Sequence, residues 1–207
     1  MTLHFGEEKL GMVSKSFVLS IVKEAASKCT TCPLHETRTN SVFSRGDRNA
    51  EIVFIGEAPG QTENQTGEPF CGRSGKLLDN MIKAMGYERN EVYICNICKC
   101  RPPDNRKPTS EEMKRCEPFL VRQLELVKPK VIVTLGATAA EGILGPGLGI
   151  TKRRGSWGEF EGIKVMPTFH PAACLYNPKL KNDVWADLQK VMKYIGIPLQ
   201  FKQITCK

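Results

Sequence analysis

The sequence predicts an α/β protein, a three-layer α/β/α sandwich around a central four-stranded parallel sheet. Three observations carry this. Short runs such as Ile52-Val53-Phe54-Ile55 are apolar throughout, the pattern of strands buried on both faces. Longer segments between them place apolar residues at helical spacing. The alternation of strand and helix favours right-handed crossovers, which set parallel strands in the middle and helices on both sides. A chain of 207 residues is expected to fold as one domain.

Taken in order, Phe17, Val18, Ile21, Val22 and Ala25 form a helical stripe over 16–28, which runs into Cys29-Thr30-Thr31-Cys32-Pro33. Residues 37–49 are polar and read as a loop. The first strand, 52–55, stops at Gly56-Glu57-Ala58-Pro59-Gly60, read as a turn rather than a helix start. From Ser74 a helix turns Leu77, Leu78, Met81, Ile82 and Met85 inward and closes at Gly86. Val92-Tyr93-Ile94-Cys95 is the second strand, followed by a Pro-rich basic loop over 101–108. Thr109-Ser110-Glu111-Glu112 has the form of a capping box opening a helix to about Val127. Val131 to Leu135 is the third strand, with a helix from Ala137 and a glycine-rich, then basic, loop over 142–154. Ile163 to Met166 is the fourth strand, ending at Pro167-Thr168-Phe169-His170-Pro171, and a last helix covers 182–195.

Ligands of such sheets sit at the carboxyl ends of the strands. Gly56 to Gly60, Asn96, Gly136 and His170 all fall there, which predicts a pocket. Lys plus Arg outnumber Asp plus Glu by 30 to 22, leaving a formal charge of +8, which suits a polyanionic partner. No stretch reaches the roughly 18 apolar residues of a membrane span, and residues 1–13 lack an apolar signal core. A soluble, cytoplasmic monomer is expected.

The chain has nine cysteines, an odd count that argues for a metal site, cluster or catalytic role over a disulfide framework. Cys29 and Cys32 form a C-x-x-C pair, and Cys100 and Cys116 lie downstream. Four thiolates suit either zinc or a [4Fe–4S] cluster, and Cys98 competes with Cys100 as a ligand. Small core hydrophobes are the plainer reading, and the one preferred for Cys71, Cys95, Cys174 and Cys206. Phe70 offers a face for a base or a core side chain. Asn96 has an amide that both donates and accepts, and His170 a loop imidazole beside the pocket. Arg101, Arg106 and Lys107 on one loop, and Lys152, Arg153 and Arg154 on another, suit phosphate contacts or plain solvation.

Together these residues resemble the family 4 uracil-DNA glycosylases, the iron–sulfur branch of that superfamily. The carrying segments are Gly56 to Gly60, Gly67-Glu68-Pro69-Phe70 through Gly75, Asn96 to Arg106, Thr151-Lys152-Arg153-Arg154-Gly155 and Thr168-Phe169-His170-Pro171. The resemblance runs from about Cys29 to Lys193. It implies a monofunctional repair glycosylase that flips uracil out of DNA and hydrolyses its N-glycosidic bond, with no metal ion in the chemistry. It also implies a structural [4Fe–4S] cluster on Cys29, Cys32, Cys100 and Cys116, tying segment 14–36 to the rest of the domain.

By the same resemblance, uracil stacks on Phe70 and is read by Asn96, in a pocket walled by Gly56, Glu57, Ala58 and Gly60. His170 stabilises the departing uracil anion. Members with an aspartate at the position of Ala58 use it to orient water, so Asn105, with Glu63, is the expected substitute here. Glu63 is also expected to exclude thymine, since Gly60 stands where related enzymes have a tyrosine. Leu175 is expected to fill the gap left by the flipped base, although Cys174 occupies the adjacent position. The rivals are a non-catalytic or covalent-trapping iron–sulfur uracil-DNA-binding protein and a glycosylase for a different base, such as hypoxanthine or mismatched thymine. The trapping branch needs a histidine near Lys152 to Arg154, and the sequence has none.

Overall fold

Apolar strands buried on both faces order the whole molecule. The structure, a computed structural model, describes residues 14–198. The sequence leaves the tail from Pro198 to Lys207 as a frayed end or a docking peptide; beyond Pro198 it lies outside the described residues, as does Cys206. Among the described residues one sheet holds β1 (Arg45–Gly46), β2 (Ile52–Gly56), β3 (Tyr93–Asn96), β4 (Val131–Leu135), β5 (Gly158–Phe160) and β6 (Ile163–Thr168). Their order is β1-β3-β2-β4-β6-β5. The four expected strands form the parallel centre. The sheet has six strands rather than four, because β1 and β5 pair antiparallel at its two edges. Neither edge strand carries an apolar run: β1 is exposed at both residues and β5 only partly covered.

The helices are α1 (Lys15–Lys28), α2 (Leu34–Thr37), α3 (Gln61–Thr66), α4 (Arg73–Ala84), α5 (Ser110–Val127), α6 (Ala137–Leu144), α7 (Ile150–Arg153), α8 (Pro171–Tyr176) and α9 (Leu180–Tyr194). Successive strand residues point to opposite faces, and the two faces fill separately. Phe54, Ile94, Val133 and Met166 pack with Leu78 and Met81 of α4 and Leu188 and Val191 of α9. Ile55, Cys95, Ile132 and Val165 pack with Leu120 and Leu124 of α5 and Ile143 of α6. This is the three-layer arrangement. α1 docks on α5 through a smaller cluster of Leu19, Ala26 and Phe43 with Phe119 and Leu126.

The capping box is formed in full: Thr109 accepts from the Glu112 N–H, and the Glu112 carboxylate accepts from the Thr109 N–H. Short elements escaped the periodicity. The Gly56–Gly60 turn passes directly into α3 with Gly60 as its N-cap, so it does start a helix. Part of the 142–154 loop is α7, and the segment after His170 is α8, with Pro171 at its first position. Four to six residues are too few to display a helical period. No described helix is long and apolar enough to cross a membrane.

Candidate active site and its cysteine-rich neighbour

Where β2, β3, β4 and β6 end, their following loops enclose a cleft of about 410 Å3. Glu57, Ala58, Gly60, Glu63, Phe70, Asn96, Asn105 and His170 all line it. The expected uracil-pocket and catalytic residues therefore converge, with Gly56 directly behind them. A Cβ on Gly56 would stand 2.4 Å from Asn96 Oδ1 and 2.5 Å from Phe70 Cζ. Only glycine lets these two groups approach the strand so closely.

Phe70 is held in an unusual backbone state, φ 53°, which is costly for a bulky residue. Two contacts over-determine it. Arg89, paired with Asp79, donates to the Pro69 and Phe70 carbonyls at 2.6 and 2.8 Å. Gly75 lies so near that a Cβ there would meet Phe70 O at 1.7 Å. The ring stacks on the His170 imidazole at a centroid separation of 5.7 Å and 29° between planes.

His170 is the N-cap of α8, and its Nδ1 accepts the Ala172 N–H at 3.1 Å. An acceptor nitrogen carries no proton, so the ring hydrogen of the neutral imidazole sits on Nε2. Burial favours that neutral form, lowering the pKa to about 4. His170 is thus an uncharged donor lining the cleft. Asn96 is 2% exposed, and its side-chain amide forms no hydrogen bond with another described residue.

Glu63 is buried; its Oε1 accepts the N–H of Gly72 at 3.1 Å, at the N-cap of α4. A Cβ on Gly60 would lie 2.8 Å from Glu63 Oε2, so the carboxylate occupies the space beside Gly60. Asn105 lies in a 3-10 turn, Pro103–Asn105, with φ 54°. Its Oδ1 accepts from Arg101 Nε at 2.7 Å.

The two basic loops divide unequally. Lys152 is exposed. Arg153, expected to face DNA, instead donates to the carbonyls of Leu144 and Gly145 beyond α6. Arg154, expected there too, forks onto Asp187 and lies over the Phe169 ring at 5.6 Å. Planar guanidinium groups engage several acceptors at once: Arg153 is spent on half-buried carbonyls and Arg154 on the buried Asp187. Arg106 grips the Glu112 carboxylate through both terminal nitrogens at 2.8 and 2.6 Å. Lys107 pairs with Glu141 at the surface. Leu175 is 39% exposed, and its neighbour Tyr176, which sequence reasoning passed over, is 92% exposed.

Beside the cleft lies the cysteine-rich corner. The Cys32 thiol is within electrostatic reach of Cys116 and Cys29, and Cys100 of Cys116 and Cys32. The Lys99 N–H and the Cys98 thiol both donate to Cys116 Sγ, which brings that thiol down to about 6, while Cys98 itself is pushed up. Arg38 donates to Cys100 Sγ at 3.2 Å and to the Ser27 carbonyl at the end of α1. Cys98 is fully buried within the α5-side core, whereas Cys29 and Cys32 are half-buried. Among the described residues, no three of His, Cys, Asp and Glu close around a single ion.

Comparison with known proteins agrees with this geometry. The family model described as Uracil DNA glycosylase superfamily matches residues 43–189, which contain the whole cleft. A type-4 uracil-DNA glycosylase of Thermotoga maritima is 46% identical over 190 residues, covering 89% of this chain and 98% of that protein. One from Archaeoglobus fulgidus is 46% identical over 184 residues, 85% of this chain and 92% of the other. One from Sulfurisphaera tokodaii is 44% identical over 192 residues, 88% and 87% of the two chains. The chain belongs to the uracil-DNA glycosylase superfamily and, within it, to the type-4 uracil-DNA glycosylases.

Proposed function

We propose that the cleft receives a uracil flipped out of DNA and that this chain, a monofunctional uracil-DNA glycosylase, hydrolyses its N-glycosidic bond there. The carrying observation is His170: a neutral imidazole, its Nδ1 occupied by Ala172 and its Nε2–H left for a ligand. A base inside a duplex is unreachable, so it leaves the stack and enters a pocket. Phe70 then offers its face, and the free amide of Asn96 donates to O4 and accepts from N3–H. Cytosine reverses both polarities, and a buried amide left mismatched rejects it strongly.

As the C1′–N1 bond breaks, its electron pair stays on uracil and the sugar becomes oxocarbenium-like. The His170 Nε2–H stabilises the growing anion at O2, where a preorganised donor is worth about two to three powers of ten in rate. Water completes the reaction at C1′ and leaves an abasic site. Glu63 and Asn105 are assigned to holding that water. Arg101 already engages Asn105 Oδ1, so the Asn105 amide nitrogen is its open group. Glu63, filling the space beside Gly60, is the group that crowds a C5 methyl. Lys152, Arg101, Arg106 and Lys107 are assigned to phosphates, and Leu175 to the gap in the stack. Arg153 and Arg154 shape the loop that presents Lys152.

Cys29, Cys32, Cys100 and Cys116 fit a [4Fe–4S] cluster. Cys32 lies within electrostatic reach of Cys29, Cys100 and Cys116, the Arg38 guanidinium donates to Cys100 Sγ, and the Lys99 N–H donates to Cys116 Sγ. When bound, the cluster supplies a cross-link between the segment after α1, the end of β3 and α5, not a step in the reaction.

The test is uracil release from a single-uracil oligonucleotide, beside matched cytosine and thymine strands, in excess EDTA. Free uracil with an alkali-labile abasic site is expected. Tight retention of the strand without release would favour the binding or trapping protein instead.

A further inference from the structure

Lys99 is 1% exposed and ranks among the largest fully buried side chains. A buried ammonium is costly unless it is paired. Among the described residues no carboxylate stands within ion-pair distance of it. Its surroundings are of a different kind. The Nζ donates to the Asn96 carbonyl at 2.7 Å and lies 5.9 Å from the centre of the Phe43 ring. The charges it does influence are thiols, those of Cys95, Cys98 and Cys116. Its own backbone N–H is bonded to Cys116 Sγ, and its carbonyl accepts from Val42 N at 2.7 Å.

The Asn96 carbonyl needs such a partner. On one side the end of β3 is fastened to β2 and the turn after it by Ile97 N–H to Gly56 O and Cys98 N–H to Glu57 O. On the other side, the register of β1 stops at Ile94, so among the described residues no strand reaches Asn96. A buried carbonyl left alone there would cost a hydrogen bond and leave the Asn96–Ile97 peptide held from the Gly56 side only. The lysine side chain folds back three residues and takes the place of the missing strand.

We propose that Lys99 is a positioning residue for base recognition: its buried ammonium clamps the Asn96 peptide, so the aim of the uracil-reading amide is fixed from the cysteine-rich side. This rests on the assignment of Asn96 as the base reader. Lys99 touches neither substrate nor reacting atoms; it acts through Asn96.

A double-mutant cycle on the iron-loaded full chain tests it, with free-uracil affinity, abasic-DNA affinity and iron content as readouts. Lys99→Met is expected to keep its iron and its abasic-DNA affinity while weakening free uracil about tenfold, the scale of one hydrogen bond to a charged group. In an Asn96→Ala background the same change is expected to add nothing, because two residues acting through one contact are not additive. Additive losses, or wild-type uracil affinity in Lys99→Met, overturn the proposal. Wild-type affinity in Asn96→Ala overturns the base-reader assignment first, and this inference with it. If Lys99→Met does not load iron, the unaltered protein carrying 15Nζ-lysine decides. A shift of the Lys99 ammonium resonance on adding uracil, absent in Asn96→Ala, supports the clamp; no shift rejects it.

Discussion

The cleft and the cysteine-rich corner share one stretch of chain, Asn96 to Cys100, yet they treat polar atoms in opposite ways. In the cleft, backbone and neighbouring side chains fix each group's position and leave its working atom open. His170 spends Nδ1 on Ala172 and keeps Nε2–H; Asn96 is locked through its peptide and keeps its amide. In the corner the sulfurs of Cys100 and Cys116 already receive N–H donors. The first arrangement is built to meet a ligand that comes and goes. The second supplies donors to sulfurs proposed to hold a resident cluster. The contrast predicts that changes in the cleft alter rate with the fold intact, while changes in the corner alter the fold's margin.

The largest effect on rate is expected at His170. His170→Ala should lower the single-turnover rate by about two to three powers of ten with abasic-DNA affinity kept; a near-normal rate would remove His170 from the chemistry. Next comes Arg154→Met, which leaves the buried Asp187 carboxylate without its guanidinium and with the Thr168 hydroxyl as its remaining hydrogen-bond donor. Removing one partner of a buried pair costs about 3–5 kcal/mol, to be read in a denaturant titration. The salt dependence of DNA binding should be unchanged. Cys116→Ser should lose iron and lower the melting temperature, about 2–4 °C for each kcal/mol lost in a chain of this size. A variant that keeps iron would move the ligand role to Cys98. Lys152→Ala should be the mildest, weakening DNA binding across sequences and reducing the salt slope by about one.

Acid sharpens the same contrast. The folded pKa of His170, about 4, lies below the ordinary value near 6.5. The unfolded chain therefore binds the extra proton first as pH falls. The stability tied to neutral His170 is complete above about pH 6.5 and is lost as pH drops toward 4. His170→Ala should flatten that part of the stability profile.

Much of this was legible from the residues. Apolar-rich runs mark the four central strands, uninterrupted over 52–55 and 92–95 and broken once at Thr134 in β4 and at Lys164 in β6, and Thr109 to Glu112 announces α5. Strand ends mark Asn96 and His170 because a parallel sheet has only one place to hold a ligand. The rest depends on long-range contacts with no local signature. β1 and β5 exist because a neighbour's edge is open, not because their own sequence insists. Arg153 and Arg154 look like Lys152 in the sequence, yet carbonyls near α6 and Asp187 on α9 claim them. Nothing in the sequence marks Lys99 as buried; its partner, the Asn96 carbonyl, is visible only in the fold.

The central claim is that a neutral imidazole, with its proton on Nε2, stands ready in the cleft. The 15N resonances of the His170 ring at neutral pH test it directly. The account predicts an unprotonated Nδ1 and a protonated Nε2, with Nε2 shifting when uracil binds. A proton on Nδ1, or an imidazolium, would contradict it.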